Sequence, residues 1–184
     1  MRFDETSFRG LLDPRGLLPE SAAGLIPSGD RAFTVFAQRP DARIDVAEWQ
    51  RHAERFFDTR LGLTVDKHYE GAVPRTDGAR VVLVPKVEDA PSPGSRGVRL
   101  CWARPRTDAD VQATMQAITA GAGLVELANR CNQTWLVEIE EEDDLVALRL
   151  SAILASVMLG PILSPRATAL FGPKTARERL SSLA

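Results

Sequence analysis

The stretch at residues 145–163, LVALRLSAILASVMLGPIL, contains a single charged residue, Arg149. It follows directly on an acidic run at residues 138–144, EIEEEDD. A transmembrane helix needs about 20 mostly apolar residues, so the length of this stretch fits either a buried core helix or a membrane-spanning segment. The choice between these two structures determines both the fold and the location of the chain.

Three features of this stretch favour a buried helix. Arg149 lies within its first third, where a charge is costly in a bilayer. Gly160 and Pro161 end a regular helix near Leu159, and the many alanine and serine residues make the segment only weakly hydrophobic. We therefore predict a core helix over residues 145–159 and no association with a membrane.

Small side chains form two rows along this predicted helix, and such rows let a neighbouring backbone approach closely. The rows are Ala147, Ser151 and Ala155, and Ala152, Ser156 and Gly160. A helix that is apolar nearly all round must also be covered nearly all round. One face can lie on a sheet, and the second face needs another helix, the N-terminal segment or a second copy of the chain. A homodimer through the 145–159 helix is therefore one of our predictions.

Runs of alternating or β-branched residues predict five strands, at residues 32–38, 64–70, 79–87, 98–103 and 133–139. With the helices placed between them, the element order is βαβββαβα. Short connections between adjacent strands favour antiparallel pairing. We predict a single α+β domain over residues 32–184, with a mainly antiparallel sheet of about five strands and helices packed on one face. Residues 1–31, which contain three prolines, are predicted to form an irregular N-terminal arm.

Two helices are predicted before the apolar one. The first runs from about Val46 to Leu61, because Asp45 can cap its start and Gly62 suits its end. The second begins at Thr107. Its buried stripe is predicted to consist of Val111, Met115 and Ile118.

Composition limits the classes of partner and the location. The chain has 184 residues and a formal net charge of −2, so it has no general attraction for nucleic acid or anionic membranes. Arginine far outnumbers lysine, which is typical of GC-rich bacterial genomes and indicates a bacterial source. The N-terminus shows no secretory pattern, and Cys101 and Cys131 lack the spacing of a metal or redox motif. We expect two buried reduced thiols and a cytoplasmic location.

The acidic run is the first candidate binding surface, with Glu138, Glu140, Glu141, Glu142 and Asp143 as its candidate residues. Negative charge also favours the N-terminal end of a helix, which gives the run a structural role as well. Consecutive carboxylates point in different directions and do not converge as a hard cation requires, so we expect no metal and no cofactor. The run is therefore predicted to be an acidic edge that attracts a basic partner protein.

Catalytic motifs do not identify a reaction in this sequence. It contains no GxSxG, Walker or HExxH spacing, and we name no catalytic residue. Arg104 and Arg106 flank Pro105 immediately before the Thr107 helix, an arrangement that can bind an anion near a helix N-terminus. These two arginines are the second candidate site.

Two functions are compatible with these features. The first is a non-catalytic protein-binding module of a bacterium: an adaptor, a regulator, or an immunity-type protein that neutralises a toxin partner. The alternative is a small enzyme or ligand binder that acts on an anionic small molecule near Arg104 and Arg106. We favour the binding module, because the sequence combines a substantial core and an acidic edge with no motif that identifies a reaction.

Overall fold

The computed structural model describes residues 29–39, 45–65, 79–85 and 97–182, with side chains for 29–39, 45–62, 101 and 103–182. Most of the predicted N-terminal arm and parts of two predicted strands (66–70 and 86–87) therefore lie outside the described residues. The last residues of the predicted arm, Gly29–Arg31, form a 3-10 turn that leads directly into the first strand.

Eight strands and five α-helices occur within the described residues. The strands are β1 (Ala32–Ala37), β2 (Thr59–Val65), β3 (Ala79–Pro85), β4 (Gly97–Pro105), β5 (Ile118–Ala120), β6 (Gln133–Glu138), β7 (Ile162–Leu163) and β8 (Ala169–Phe171). The helices are α1 (Val46–Phe57), α2 (Asp108–Gln116), α3 (Leu124–Arg130), α4 (Leu145–Met158) and α5 (Pro173–Ser182).

The strands form one sheet in the order β2-β3-β4-β6-β1-β7-β8-β5. Every pairing among them is antiparallel except that of β5 with β8. β1 lies in the interior of the sheet between β6 and β7, and all its residues are buried. The predicted class is confirmed: the fold is α+β, with a mainly antiparallel sheet and helices on one face. The predicted strand at 64–70 overlaps β2 only at Thr64 and Val65. β5, β7 and β8 were not predicted, because two or three residues are too few to show a periodic pattern.

The predicted apolar helix is confirmed as α4, which lies at the centre of the larger hydrophobic cluster. Leu159 ends it in a left-handed conformation with φ of 57°, and the Leu159 N–H donates to the Ala155 carbonyl. Gly160 and Pro161 follow directly, as the sequence predicted. Among the described residues, no helix has both the length and the apolar character needed to cross a membrane.

The second face of α4 is covered by the same chain. α1 and α5 both pack against it, and Ala147, Ser151 and Ala155 of one small row are fully buried. In the other row, Ser156 Oγ lies 3.0 Å from Nδ1 of His52 on α1. The homodimer prediction depended on an uncovered face, and that face is occupied here by α1 and α5.

α1 ends earlier than predicted. The prediction of a helix to Leu61 with Gly62 at its end was wrong. Asp58 adopts a left-handed conformation (φ 45°), and its N–H donates to the Ala53 carbonyl. From Thr59 onward the chain pairs with β3, and Gly62 lies within β2. The hydrogen bonds of the sheet thus outweigh the helical pattern of these residues.

The buried face of α2 also differs from the prediction. Met115 and Ile118, two of the three predicted core positions, are 63% and 79% exposed, and Ile118 belongs to β5. The buried positions are instead Asp110 and Thr114. Asp110 forms a capping box with Thr107 and is also bound from β4. Polar contacts, and not an apolar stripe, therefore set the orientation of this helix.

Both cysteines are free and buried, as predicted. Burial raises the pKa of the Cys101 thiol. Burial also raises the pKa of Cys131 to about 11, against the opposing effect of the nearby Arg106 cation. Because only the thiolate is a strong nucleophile, these raised pKa values favour the less reactive thiol form at neutral pH.

Candidate functional site

The acidic run forms the connection between β6 and α4, and Asp144 anchors it. The Asp144 carboxylate accepts a hydrogen bond from the Ala147 N–H at 2.9 Å and another from the Glu140 N–H at 2.9 Å. Its side chain is buried. Asp144 thus caps α4 by accepting from one of the helix's free backbone donors, and it also fixes the start of the loop.

A groove of about 870 Å³ lies beside this loop. One wall is the loop itself, and another is formed by Ser164, Pro165, Arg166 and Thr168, at the 3-10 turn Pro165–Ala167. Four apolar side chains also line the groove: Phe33, Ile139, Leu145 and Leu148. We call this cavity the acidic groove and these four side chains its floor.

Negative charge dominates the acidic groove. Six carboxylates and three arginines line it, a formal excess of three negative charges. The carboxylates are Asp30, Glu140, Glu141, Glu142, Asp143 and Asp144, and the arginines are Arg31, Arg166 and Arg179. Glu141 and Asp143 are exposed, and neither forms an ion pair with another described residue. The potential of the groove therefore favours a cationic occupant.

One ion pair joins the two walls of the groove. Arg166 donates to the Glu142 carboxylate at 2.9 Å, and both side chains are exposed. Such an exposed pair contributes only about 0–1 kcal/mol, so an incoming cation can replace Arg166 at little cost. Arg166 and Ala167 both have positive φ, 57° and 52°, a conformation that costs roughly 1–2 kcal/mol for residues other than glycine. The turn is thus strained at the place where it contacts the acidic loop.

Four of the five predicted acidic residues line the groove together: Glu140, Glu141, Glu142 and Asp143. Glu138 is not among the lining residues; it ends β6 opposite Ala32 of β1. Ile139, Leu145 and Leu148 of the floor adjoin the acidic run, whereas Phe33 and the arginines were not predicted to lie near it. No local signal marks them, because Phe33, Arg166 and Arg179 lie in segments far apart in the chain.

At the second predicted site, Arg104 already has a carboxylate partner. It donates to the two oxygens of Asp110 at 2.6 and 2.7 Å, and these side chains are only 11% and 10% exposed. Burial raises the pKa of Asp110, but the hydrogen bonds and charge of Arg104, with the bonds from Thr107, outweigh it and hold that pKa below its usual value. The Arg104 guanidinium is therefore neutralised within the fold. Arg106 is half-buried, and its backbone N–H donates to the Asn132 carbonyl at 3.0 Å.

Asp144→Ala is expected to lower the free energy of unfolding by about 1–2 kcal/mol, because it removes the cap of α4 and the acceptor of the Glu140 N–H. Urea denaturation followed by circular dichroism measures this loss. Asp143→Ala is the matched control, since it removes the same charge from an exposed side chain, and its effect should stay within about 0.5 kcal/mol. Equal losses in the two variants would show that Asp144 does not anchor the loop.

The geometry of the acidic groove suits cationic side chains. Carboxylates bind guanidinium and ammonium groups through charge-assisted hydrogen bonds. Within the described part of the chain, no group of three or more His, Cys, Asp or Glu residues is placed to hold a metal ion. No protein-family model, no curated protein and no solved structure matches this chain.

Proposed function

We propose that this chain is a non-catalytic protein-binding module and that the acidic groove receives a basic segment of a partner protein. The observation that carries the proposal is the combination of exposed carboxylates with an apolar floor in one groove. An arginine or lysine side chain has an apolar stem and a cationic head, so it can contact both at once. Complementary charge also speeds association and excludes partners of the wrong charge.

The exposure of the groove residues suggests an order of contacts. Glu141 and Asp143 are exposed, so they meet an approaching cation first. Glu142 becomes available when the cation displaces Arg166 from its exposed pair. Phe33 and Leu148 are nearly buried and contact the stem of the inserted side chain. A volume of about 870 Å³ accommodates a short segment, and the rest of the partner would lie over the rim.

Three forms of this module are proposed: an adaptor, a regulator, and an immunity-type protein that neutralises a toxin partner. All three act by occupying a surface of another protein and need no catalytic group. The buried, reduced cysteines agree with the proposed location in the cytoplasm of a bacterium. The identity of the captured partner separates the three, because a toxin inhibited by binding would establish the immunity form.

Charge reversal in the groove tests the proposal. Tagged wild-type chain and a Glu141→Lys/Asp143→Lys variant are used in parallel to capture proteins from an extract of the source cell. Glu126→Lys/Glu178→Lys is the matched control, since it reverses two exposed charges outside the groove. We expect one stoichiometric partner with wild type and control, and binding weakened at least about tenfold with the groove variant.

The captured complex should also dissociate as the salt concentration rises, because exposed charges are screened over about 8 Å at physiological ionic strength. Equal capture of that partner by the groove variant and the control would contradict the proposal. Affinity of the purified partner that does not change with salt would also contradict it.

A further inference from the structure

A second cavity, of about 540 Å³, lies between the second half of α1 and α3. The end of α4 with residues 159–161 and the start of α5 with Gly172 complete its lining. It shares no lining residue with the acidic groove. Most of its side chains are apolar, among them Phe56, Phe57, Leu124, Leu127, Ala155 and Leu159. The volume is within the range of about 300–1,000 Å³ typical of small-molecule sites. We call it the apolar cavity.

Two polar side chains, His52 and Ser156, also line the apolar cavity. Ser156 Oγ lies 3.0 Å from His52 Nδ1 and donates to the Ile153 carbonyl oxygen at 2.7 Å. A hydroxyl has one proton, so Ser156 accepts from the Nδ1–H of His52. Burial lowers the pKa of His52. The neutral form of its imidazole ring is therefore favoured. The Ser156 hydroxyl thus connects α4 to His52 of α1 at the cavity.

Two large apolar side chains at this cavity are exposed. Leu159 is 59% exposed and Phe56 is 37% exposed. Leu159 also has φ of 57°, at the end of a helix, where glycine is preferred in this conformation. A leucine there is unfavourable both for the backbone and for its contact with water. Strained and exposed apolar residues of this kind are typical of ligand-binding surfaces.

Two cations lie at the same cavity. Lys174 and Arg177 are three residues apart on α5, so they share one face of that helix. Both are exposed and both line the cavity. Lys174 has only a long contact of 3.9 Å to Glu178, and Arg177 forms no ion pair with another described residue. An apolar cavity thus carries two positive charges that are available to an anion.

We propose that the apolar cavity binds a small amphipathic carboxylate, with its aliphatic chain among the apolar side chains and its carboxylate at Lys174 and Arg177. Burial of the chain provides most of the affinity, roughly a fourfold gain for each buried methylene. The guanidinium of Arg177 matches the planar geometry of a carboxylate. This site is independent of the acidic groove, and its ligand carries the opposite charge.

Calorimetric titration of the full chain with decanoate, decanol and decyltrimethylammonium measures the preference for the head group, with alkyl chains of about nine to ten carbons in all three. We expect decanoate to bind most tightly and decyltrimethylammonium least tightly. Octanoate should bind about fifteenfold more weakly than decanoate, because two methylenes are lost. Lys174→Gln/Arg177→Gln should weaken decanoate binding about fivefold and leave decanol binding unchanged. The control Arg60→Gln/Arg130→Gln removes two exposed charges outside the cavity. It should change neither decanoate binding nor decanol binding.

A steric variant tests the location of the aliphatic chain. Gly172 lines the cavity, and a Cβ there would meet open space. The backbone at Gly172 therefore has room for a Cβ, and the added side chain of Gly172→Leu should occupy part of the cavity and weaken decanoate and decanol binding alike. Gly29→Leu is the control, because Gly29 is equally open but lies outside the cavity. This variant should bind decanoate and decanol as tightly as wild type does.

Three results would overturn the proposal: no saturable binding of decanoate, equal affinity for the three head groups, or equal losses in the cavity variants and their controls. Vesicles of anionic phospholipid distinguish a free carboxylate from a lipid head group. In sedimentation we expect the chain to stay in the supernatant. Co-sedimentation that depends on Lys174 and Arg177, without binding of decanoate, would replace the proposed ligand by a membrane surface.

Discussion

Gly160→Ala is expected to unfold the chain or to lower its free energy of unfolding by at least about 3 kcal/mol. A Cβ at this position would lie 1.8 Å from the carbonyl oxygen of Phe36 and 2.7 Å from its carbonyl carbon. The clash is with backbone and not with a flexible side chain. Phe36 also donates its N–H to the Pro161 carbonyl at 2.9 Å, and β1 is paired on both sides. The strand therefore cannot move away from the new atom.

Urea denaturation of purified Gly160→Ala measures this effect, and failure to obtain folded protein counts as the expected result. Gly29→Ala is the control, because a Cβ at Gly29 meets nothing within 4 Å; its stability should stay within about 0.5 kcal/mol of wild type. Wild-type stability in Gly160→Ala would show that α4 does not end against β1 as described.

Asp110→Ala is expected to lower the free energy of unfolding by about 3–5 kcal/mol. It leaves the guanidinium of Arg104, which is only 11% exposed, without its carboxylate. It also removes the acceptor for the N–H and hydroxyl of Thr107. Chemical denaturation measures the loss. Asp108→Ala, which removes an exposed carboxylate from the same helical turn, should cost no more than about 1 kcal/mol.

A double variant separates the ion pair from general damage to α2. Replacing both partners by apolar residues, as in Arg104→Met/Asp110→Leu, should recover much of the stability, because neither charge is then left buried alone.

The pKa of Asp110 is lowered in the folded chain, so the stability that Asp110 contributes is present above the ordinary pKa of an aspartate. That contribution is lost as the pH falls through the lowered pKa. The stability of Asp110→Ala should therefore fall less than that of wild type as the pH is lowered. The same pH dependence of stability in both proteins would contradict the ion pair between Asp110 and Arg104.

The sequence predicts well those parts of the fold that depend on contiguous patterns. The 145–163 stretch predicts α4 because its single charge and its Gly-Pro end are local features. Four of the five longer strands, β1, β3, β4 and β6, are likewise predicted by β-branched and alternating runs. β2 is not, because the predicted strand at 64–70 overlaps it only at Thr64 and Val65. Arg149 is the single charged residue of α4, and its side chain donates to the Phe57 carbonyl at 3.2 Å. Its charge is therefore placed at the C-terminal end of α1, where a cation is favourable.

Features that depend on contacts between distant segments could not be predicted. The orientation of α2 is set by a polar pair with β4, whereas an amphipathic pattern predicts only an apolar face. The acidic run itself is visible in the sequence. The groove is not, because Phe33 of its floor and its arginines come from both ends of the described chain. The need for Gly160 is also hidden, since a glycine before a proline is equally typical of an ordinary turn.

Hydrogen–deuterium exchange of the full chain tests most directly the proposal that a basic partner protein occupies the acidic groove. Exchange is measured with and without the captured partner. We expect slower amide exchange in the loop at residues 139–145 and in the turn at 164–168, with no change in α3. Slower exchange confined to segments outside the groove would contradict it.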